Sequence, residues 1–305
     1  MQASAGSSPV PGTMKNIVIE ENKTLEQAYL NASKFAKSHY ENFPVVSLFL
    51  PKVLRKHVAV VYQFARQADD IADEGNLSVE CRVQNLELYE ESLKKCLNGE
   101  SKDGFWDALK KTISEFQLSP KHFFDLLSAF KQDLIKKRYG SFGEVLDYCE
   151  RSANPVGRII LEFFGIKEPE AVKYSDSICT ALQLTNFYQD VSVDIIKNRI
   201  YLPLDELKKF DVEQNQFEFK KINANFRQLL EFQVQRNRKL YKEGRQLLSL
   251  LPHRLRRQIY MTILGGEKIL EKIEALDYDV LNNRPSLSKM DYIKIFLRSA
   301  VLLND

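Results

Sequence analysis

The chain has 305 residues, of which 44% are hydrophobic and 28% charged, so it can bury a sizeable core in one large or two small domains. Its net charge of +3 is too small for the basic surface that nucleic-acid binding requires. No apolar run approaches the ~18 residues that a membrane-spanning helix needs.

The four cysteines show no close-paired spacing, and the four histidines form no metal-ligand pattern. These features are typical of a reduced, cytoplasmic chain with structural thiols. Residues 1–13 are rich in Ser, Gly and Pro and lack the basic and apolar regions of a signal peptide. We expect them to form a disordered tail, native or left from cloning, before a folded domain of residues 14–305.

Apolar residues recur with helical spacing along most of the chain, and Gly and Pro fall between the periodic segments. Neither a strand series nor a repeat is evident. The predicted fold class is therefore all-α, a single-domain helical bundle. The predicted helices are Leu25–Tyr40, one from just after Pro51 through Asp69, Val79–Leu97, Phe105–Phe116, Pro120–Lys137, Phe142–Glu150, Pro155–Phe164, Glu168–Ile196, Asn223–Ser249, Arg254–Ala275 and Lys289–Leu303. Ile200–Leu204 is predicted as an ordered loop or short extended piece, and Asp211–Lys221 as a polar connection.

A dense acidic cluster closes the second predicted helix, where Asp69, Asp70, Asp73 and Glu74 follow one another closely. On a helix Asp69 and Asp73 are neighbours, and Asp70 leans toward the same side. Like charges so placed repel one another, and the helix dipole also disfavours acids at a C-terminal end. A cation shared by these acids would resolve the conflict.

A second stripe of oxygen ligands lies in the helix predicted from Glu168. Asn186, Asp190 and Asp194 recur at intervals of four, and Gln183 falls in the same sector. Oxygen donors without a Cys or His cluster suit Mg²⁺. Two such stripes on facing helices of a bundle would clamp a diphosphate through more than one magnesium ion. The alternative for either stripe is a solvated acidic helix face.

The residues around both stripes resemble the squalene/phytoene synthase family in four ordered segments. These are Tyr62-x-x-x-Arg66-x-x-Asp69-Asp70-x-x-Asp73-Glu74, Asp133-x-x-x-x-Arg138-Tyr139, Tyr148-Cys149-x-x-x-Ala153-x-x-Val156-Gly157, and Gln183-Leu-Thr-Asn186-Phe-x-x-Asp190-x-x-x-Asp194 with Asn198-Arg199-Ile-Tyr201-Leu-Pro203. The resemblance implies an isoprenyl synthase fold with a central apolar cavity, Mg²⁺ dependence and head-to-head coupling of two prenyl diphosphates through a cyclopropyl diphosphate.

The resemblance, together with side-chain chemistry, assigns roles to the matching positions. The expected metal ligands are Asp69, Asp70, Asp73, Asn186, Asp190 and Asp194. The expected catalytic residues are Tyr62, Arg66, Asn154, Arg199 and Tyr201, and the expected substrate-binding residues are Lys37, Ser38, Tyr148, Gln183, Asn186, Phe187 and Tyr260. Arg66 would orient Asp70, and Arg199 and Tyr201 would reach departing diphosphate oxygens. Arg138 and Tyr139 are either structural partners of Asp133 or part of the site.

Two departures from the family pattern favour one branch of it. Asn154 and Pro155 stand where most members have Gly and Thr, and Gln189 stands where most have Arg. With the segments Ser38–Pro44, Arg151–Arg158 and Asn186–Asp190, they resemble the hydroxysqualene synthases of the bacterial hopanoid pathway. That branch ionises presqualene diphosphate, received from an upstream synthase, and lets water capture the rearranged cation without NADPH. The loss of a cation at Gln189 argues against the first condensation step.

The rearranged cation requires an apolar, aromatic-lined tunnel. Candidates to line it are Phe35, Phe43, Tyr62, Phe64, Phe187 and the surroundings of Leu161, with ordinary core packing as the alternative for each. An alcohol product also requires one positioned water. Asn154 either holds that water or caps the helix opened by Pro155.

Two rival interpretations remain. Squalene or phytoene synthesis from two farnesyl or geranylgeranyl diphosphates is the nearer one, and squalene formation would require a nicotinamide reductant. The other is a non-catalytic helical scaffold at a membrane surface, based on the basic segment His253–Tyr260. A solvated helix face is the alternative for that segment, although a lipid-like substrate would itself favour peripheral contact with the inner face of the membrane.

Overall fold

The computed structural model describes residues 11–38, 50–100 and 104–301, with side chains from Thr24 to Ala300. Within these ranges the chain is helical and holds no strand beyond one isolated parallel bridge between Arg138 and Ile200. The helices are α1 Pro11–Ser38, α2 Lys52–Asp73, α3 Val79–Asn98, α4 Gly104–Phe116, α5 Pro120–Ile135, α6 Phe142–Ser152, α7 Asn154–Phe163, α8 Pro169–Gln189, α9 Val191–Asp194, α10 Leu204–Lys209, α11 Asn215–Glu218, α12 Ala224–Gly244, α13 His253–Ala275 and α14 Lys289–Val301. Short 3₁₀ segments span Ile195–Lys197 and Arg245–Leu250.

Local chemistry fixes several of these boundaries. The side chain of Ser78 accepts a hydrogen bond from the Cys81 N–H at 3.3 Å, and that of Asn223 accepts one from the Phe226 N–H at 2.9 Å. These are N-caps that satisfy amides without a partner inside the helix. At the other end of α3, Gly99 takes a φ of 81°, the left-handed conformation that commonly closes a helix.

The all-α prediction is confirmed, with corrections at several boundaries. Helix α1 begins at Pro11 and not at Leu25, so residues 11–13 of the predicted tail are helical; residues 1–10 lie outside the described part of the chain. The helix predicted over Glu168–Ile196 is interrupted at Asp190, where the backbone turns to φ −100° and ψ 12°. Asp211–Lys221 contains the short helix α11 and is not wholly a connection. The ordered segment after Asn198 is confirmed, since Ile200 and Leu202 are buried.

Two hydrophobic clusters form the core. One gathers residues of α1 to α5 around Phe64 and Phe123, and the other gathers residues of α6 to α13 around Tyr188 and Tyr241. Helix α7 contributes to both clusters, through Ile159 to the first and Leu161 to the second. The space between the two clusters is therefore bounded by α2 on one side and α8 on the other.

Candidate active site

The acidic cluster at the end of α2 is arranged around one arginine. Arg66 lies 2.6 Å from Asp70 (Nε to Oδ1), 3.2 Å from Asp69 (Nη1 to Oδ2) and 2.7 Å from Glu74 (Nη2 to Oε1). Its guanidinium spans the i+3, i+4 and i+8 positions of a helix and offsets the repulsion among the carboxylates. The predicted contact between Arg66 and Asp70 is present.

Asp73, one turn further on, reaches across to the second motif. Its carboxylate accepts a hydrogen bond from Arg199 Nη2 at 2.9 Å and another from Lys197 Nζ at 2.8 Å. Burial by itself would raise the pKa of Asp73, but the hydrogen bonds from Arg199 and Lys197 hold it at about 2. This carboxyl is ionised at neutral pH and joins the end of α2 to the segment that follows α9.

The second stripe carries its own cation. Arg284 donates to Asp190 through Nε at 2.6 Å and through Nη2 at 3.2 Å. Burial and the neighbouring charge of Asp190 raise the pKa of Asp194 to about 7. Gln189 donates to the carbonyl of Pro285 at 2.7 Å, so it holds the segment that brings Arg284 to the site.

A third carboxyl lies between the two stripes. Asp133, near the end of α5, accepts a hydrogen bond from the Tyr148 hydroxyl at 2.7 Å, and its backbone carbonyl accepts one from Arg199 at 3.3 Å. Burial raises the pKa of Asp133 to about 6. Tyr148, predicted to bind substrate, is therefore placed in the site through Asp133.

An aromatic stack supports the loop after α9. The rings of Phe187 and Tyr201 lie parallel with centroids 3.7 Å apart. The ring of Tyr139 stacks on that of Tyr201 with centroids 5.5 Å apart. Arg138 donates to the Asn198 carbonyl at 2.5 Å and to its side-chain oxygen at 2.8 Å. Arg138 and Tyr139 therefore hold the loop that carries Arg199 and Tyr201. The hydrogen bonds of Arg138 within the described residues go to Asn198, Lys137 and Gln214, and none goes to Asp133, which was one of the two alternatives.

An apolar cavity of about 420 Å³ is lined mainly by residues of α2, α7, α8 and α13. Its wall is formed by Val58, Val61, Tyr62, Ala65, Leu126, Val156, Gly157, Ile159, Ile160, Leu161, Phe163, Ser175, Ile178, Cys179, Leu182, Leu247, Leu255, Gln258, Ile259 and Thr262. On α2 the face that lines the cavity at Tyr62 and Ala65 continues at helical spacing to Asp69 and Asp73. On α8 the face that lines it at Cys179 and Leu182 continues in the same way to Asn186 and Asp190.

Tyr62 joins the two parts of the site. It lines the cavity, and the charges of Arg66, Asp70 and Asp69 all act on its hydroxyl. The arrangement offers an apolar chamber that suits a hydrocarbon chain. At one end of the chamber the two acidic stripes and the cations paired with them form a highly charged rim. Such a site suits an amphipathic molecule with an anionic head.

The structure does not bring every predicted residue to this site. Asn154 is not the cap of α7, because Ala153 holds that position and the Asn154 side chain accepts a hydrogen bond from Thr180 at 3.0 Å. Asn154 also lies outside the cavity wall, so the role of holding water there is not supported. Tyr260 likewise lies outside the wall, where its ring faces Arg245 at 5.5 Å.

The remaining predicted residues differ in their exposure and in their distance from the cavity. Lys37 and Ser38 end α1 and are exposed, and Phe43 lies outside the described residues. Asn186 and Gln183 lie on the stripe of α8, exposed and half-buried respectively. Phe64 is wholly buried among Tyr89, Trp106 and Phe123, so it belongs to the core and not to the cavity.

Sequence reasoning missed two cations. Lys197 lies only a few residues past Asp194, so the basic residues flanking Asn198 were an available signal. Arg284 is 94 residues from Asp190 and lies beyond the segments that match the family closely. No local pattern pointed to it.

The donor set fits a hard divalent cation in chemistry. The side chains on both stripes offer carboxylate and amide oxygens without thiol or imidazole, as Mg²⁺ prefers. Among the described residues, however, no three His, Cys, Asp or Glu side chains lie close enough together to hold a metal ion as they stand. Arg66, Lys197, Arg199 and Arg284 neutralise the carboxylates instead.

Comparison with known proteins agrees with this geometry. The family model for squalene/phytoene synthase matches residues 36–291. The chain belongs to the squalene/phytoene synthase family. Members of this family are enzymes that act on prenyl diphosphates in isoprenoid biosynthesis.

Individual relatives come from several branches. The chain is 29% identical to a phytoene synthase from Arthrospira platensis, over 92% of this chain and 96% of that protein. It is 31% identical to the hydroxysqualene synthase from Rhodopseudomonas palustris, over 83% of this chain and 85% of that protein. The crystal structure of squalene synthase HpnC from Alicyclobacillus acidocaldarius has 38% sequence identity and a TM-score of 0.80, over 83% of this chain and 95% of that chain.

A dehydrosqualene synthase crystallised with a ligand shares the fold at 22% identity, with a TM-score of 0.82 over 93% of this chain and 99% of that chain. The squalene/phytoene synthase fold predicted from the motifs is thus confirmed. In the described part of the chain no helix is long and apolar enough to cross a membrane.

Proposed function

We propose that this enzyme is a hydroxysqualene synthase, which ionises presqualene diphosphate and lets water capture the rearranged carbocation, giving hydroxysqualene and diphosphate. The observation that carries the proposal is the continuity of the cavity-lining faces of α2 and α8 with the acidic stripes. It allows one molecule to place its hydrocarbon part in the cavity and its diphosphate at the rim. The presqualene diphosphate would come from an upstream synthase.

The rim residues divide into two groups for this reaction. Magnesium would be held by two sets of ligands, and more than one ion is expected from two stripes. The set on α2 is Asp69, Asp70 and Asp73, and the set on the other side is Asn186, Asp190 and Asp194. Bound Mg²⁺ supplies charge neutralisation of the leaving diphosphate. We infer that substrate binding exchanges the present carboxylate–cation pairs for ligand contacts.

The cations then serve the leaving group. Arg199 and Lys197, now on Asp73, and Arg284, now on Asp190, carry donors that diphosphate oxygens would accept. Arg66 keeps Asp69 and Asp70 oriented toward the rim. Phe187 and Tyr201 close the aromatic side of the site beside these groups. Below the rim, the apolar wall limits access of stray bases to the cation.

The choice of an alcohol-forming reaction is supported by the resemblance to hydroxysqualene synthases at 31% identity. It is also supported by Gln189, whose side chain donates to the Pro285 carbonyl and adds no charge to the rim. The test is to supply synthetic presqualene diphosphate with Mg²⁺ and to identify the product. Hydroxysqualene formed without a nicotinamide reductant is expected. Squalene formed only when NADPH is added would overturn the assignment.

Head-to-head condensation is the second candidate. It is favoured by the similarity to phytoene synthases over 92% of the chain. Incubation with farnesyl or geranylgeranyl diphosphate alone tests it, because a condensing enzyme converts either of these to a product of twice the length. A hydroxysqualene synthase leaves both unchanged.

A further inference from the structure

One buried side-chain oxygen in the cavity wall has no hydrogen-bond partner among the described residues. Gln258 of α13 lines the cavity and is only 5% exposed. Its side-chain oxygen Oε1 is buried and accepts no hydrogen bond from any described residue. A buried amide oxygen in an apolar wall is costly unless something donates to it.

Water is the donor that fits this position. The cavity has room for it, and an ordered water needs polar partners beyond one acceptor. Thr262, one helical turn along the same wall, supplies a hydroxyl, and that hydroxyl donates to the Gln258 backbone carbonyl at 3.1 Å. Gln258 and Thr262 therefore form a short polar strip on the otherwise apolar face of α13.

We propose that Gln258 is the positioning residue that holds the attacking water, an inference that rests on the proposed function. A lone pair of the water oxygen forms the new C–O bond to the carbocation, and the oxonium then loses a proton. The released diphosphate, which left with the electron pair of its C–O bond, accepts that proton. The neutral amide orients the water without acting as a base.

The experiment compares product ratios from presqualene diphosphate in the wild-type enzyme and in Gln258→Met, an unbranched apolar replacement of similar length. The alcohol fraction is expected to fall about tenfold in favour of hydrocarbon products, as expected for loss of one hydrogen bond to the water. The rate of diphosphate release should stay close to wild type, because ionisation precedes capture. Gln258→Glu keeps an oxygen at the same reach and should retain alcohol formation.

Gln228→Met is the matched control, since it makes the same substitution at an exposed position of α12 and should change neither the alcohol fraction nor the rate of diphosphate release. Thermal unfolding of Gln258→Met should occur at the wild-type temperature or above, because an unpaired buried oxygen is removed. An unchanged alcohol fraction in Gln258→Met overturns the role of Gln258 and leaves the proposed function standing. A wild-type enzyme that forms no alcohol overturns both.

A separate observation concerns the outer face of α14. Asp291, Ile295 and Ser299 form its buried stripe, and Asp291 pairs with Lys272 of α13 at 2.9 Å. The opposite face exposes Met290, Ile293 and Leu297, at 60%, 50% and 60%. This apolar strip is solvent-exposed over two turns of a helix.

Basic residues flank the strip. Lys289 lies on one side of it at helical spacing and Lys294 on the other, with Arg298 beyond, and all three are exposed. Asp291 is the only acid in the helix, and it is buried and paired. The outward face of α14 thus combines apolar residues with positive charge alone, the pattern of a helix that lies in the surface of an anionic bilayer.

The position of α14 agrees with a lipid partner. It packs on α13, and Arg257 of that helix donates to Ser299 at 3.2 Å. Leu255, Gln258 and Ile259 of α13 line the cavity from another face of the helix. We infer that α14 docks on an anionic lipid surface, with one helix between that surface and the cavity.

The test is co-sedimentation with vesicles of phosphatidylcholine, alone and mixed with phosphatidylglycerol, without any prenyl substrate. Binding is expected only to the mixed vesicles. Replacing Lys289 and Lys294 by Gln should weaken it about fivefold for each lysine. Ile293→Ser with Leu297→Ser should weaken it about tenfold or more.

Leu88→Ser with Lys95→Gln on exposed positions of α3 is the matched control and should bind as the wild type does. Equal binding by the α14 variants and the control overturns the inference. So does a wild-type dimer in light scattering that Ile293→Ser with Leu297→Ser converts to a monomer, since the strip would then contact a second copy. Neither outcome depends on the proposed reaction.

Discussion

Arg199 donates to Asp73 across 126 residues of sequence, with Nη2 and Oδ1 2.9 Å apart. The backbone N–H of the same arginine donates to the Asp194 carbonyl, also at 2.9 Å. One residue therefore ties the first acidic motif to the end of the second. Both stripes thus lie at the same end of the molecule, as a shared metal–diphosphate site requires.

Replacing Asp73 by Asn should reduce turnover by about 100-fold or more, because the rim loses a carboxylate that would hold Mg²⁺ against the leaving diphosphate. The fold should remain, since the lost contacts are partly exposed ion pairs worth ~1 kcal/mol. Product formation and thermal unfolding are measured together. Glu87→Gln, at an exposed position of α3, is the control and should change neither. Equal activity in the two variants would refute a role for Asp73.

Removing the cation on Asp190 should make the metal easier to bind. In Arg284→Gln the carboxylate is no longer paired, so the affinity for Mn²⁺ without substrate should rise about two- to fivefold, the worth of a partly exposed ion pair. Calorimetric titration with Mn²⁺ measures this change. Arg227→Gln removes a comparable pair with Asp277 on another surface and should leave the affinity unchanged. A weaker affinity in Arg284→Gln would show that Asp190 is not a ligand.

The stability of the wild-type protein should depend on pH through Asp133. Burial raises its pKa to about 6 in the folded state, against 3.8 for an ordinary aspartate, so between these values the folded protein binds more protons than the unfolded chain. The contribution of Asp133 is therefore present below about pH 4 and is lost as the pH rises through 6.

The variant Asp133→Asn lacks this titration. In metal-free buffer its free energy of unfolding relative to wild type should increase from pH 4 to pH 7, by an amount on the order of 2 kcal/mol. Denaturant unfolding at both pH values measures the difference. A constant difference between the two proteins would mean that Asp133 has an ordinary pKa.

Two substitutions of Tyr201 distinguish a packing role of its ring against Phe187 from a chemical role of its hydroxyl. Tyr201→Phe keeps the ring against Phe187 and should retain both stability and turnover. Tyr201→Ala should lower the free energy of unfolding by ~3 kcal/mol, because a partly buried ring that stacks on Phe187 and Tyr139 is lost. Turnover and unfolding are measured for both. A loss approaching ~100-fold in the Phe variant would instead assign the hydroxyl to the reaction, as the motif resemblance implies.

The close approach of α7 and α8 depends on Gly157. A Cβ there would overlap Ser175 Oγ and lie 2.5 Å from Cys179 Sγ. Gly157→Ala should therefore reduce stability by ~1–3 kcal/mol through overpacking at the cavity wall. Gly143→Ala is the control, since its Cβ would meet Ser141 Oγ at an ordinary 3.6 Å and should stabilise helix α6 slightly. Equal stability of the two variants would show that the wall adjusts freely.

The sequence by itself determined the helical fold and both acidic stripes, because helical periodicity and motif spacing are local properties. It predicted that Asp69 and Asp73 share one helix face and that Arg66 contacts Asp70, and the structure shows both. The role of the acidic residues as metal ligands stays a prediction. It offered Tyr62 as one of several candidates to line the cavity, with core packing as the alternative, and the structure places Tyr62 in the cavity wall.

Only the tertiary structure decided which distant residues complete the site. Arg284 meets Asp190, and Gln258 enters the cavity wall, through contacts between segments that no local spacing connects. The same packing places Asn154 and Tyr260 outside the cavity wall, because the tertiary structure determines which neighbour each helix face contacts. A periodic pattern defines that face, but the neighbour is set by long-range packing.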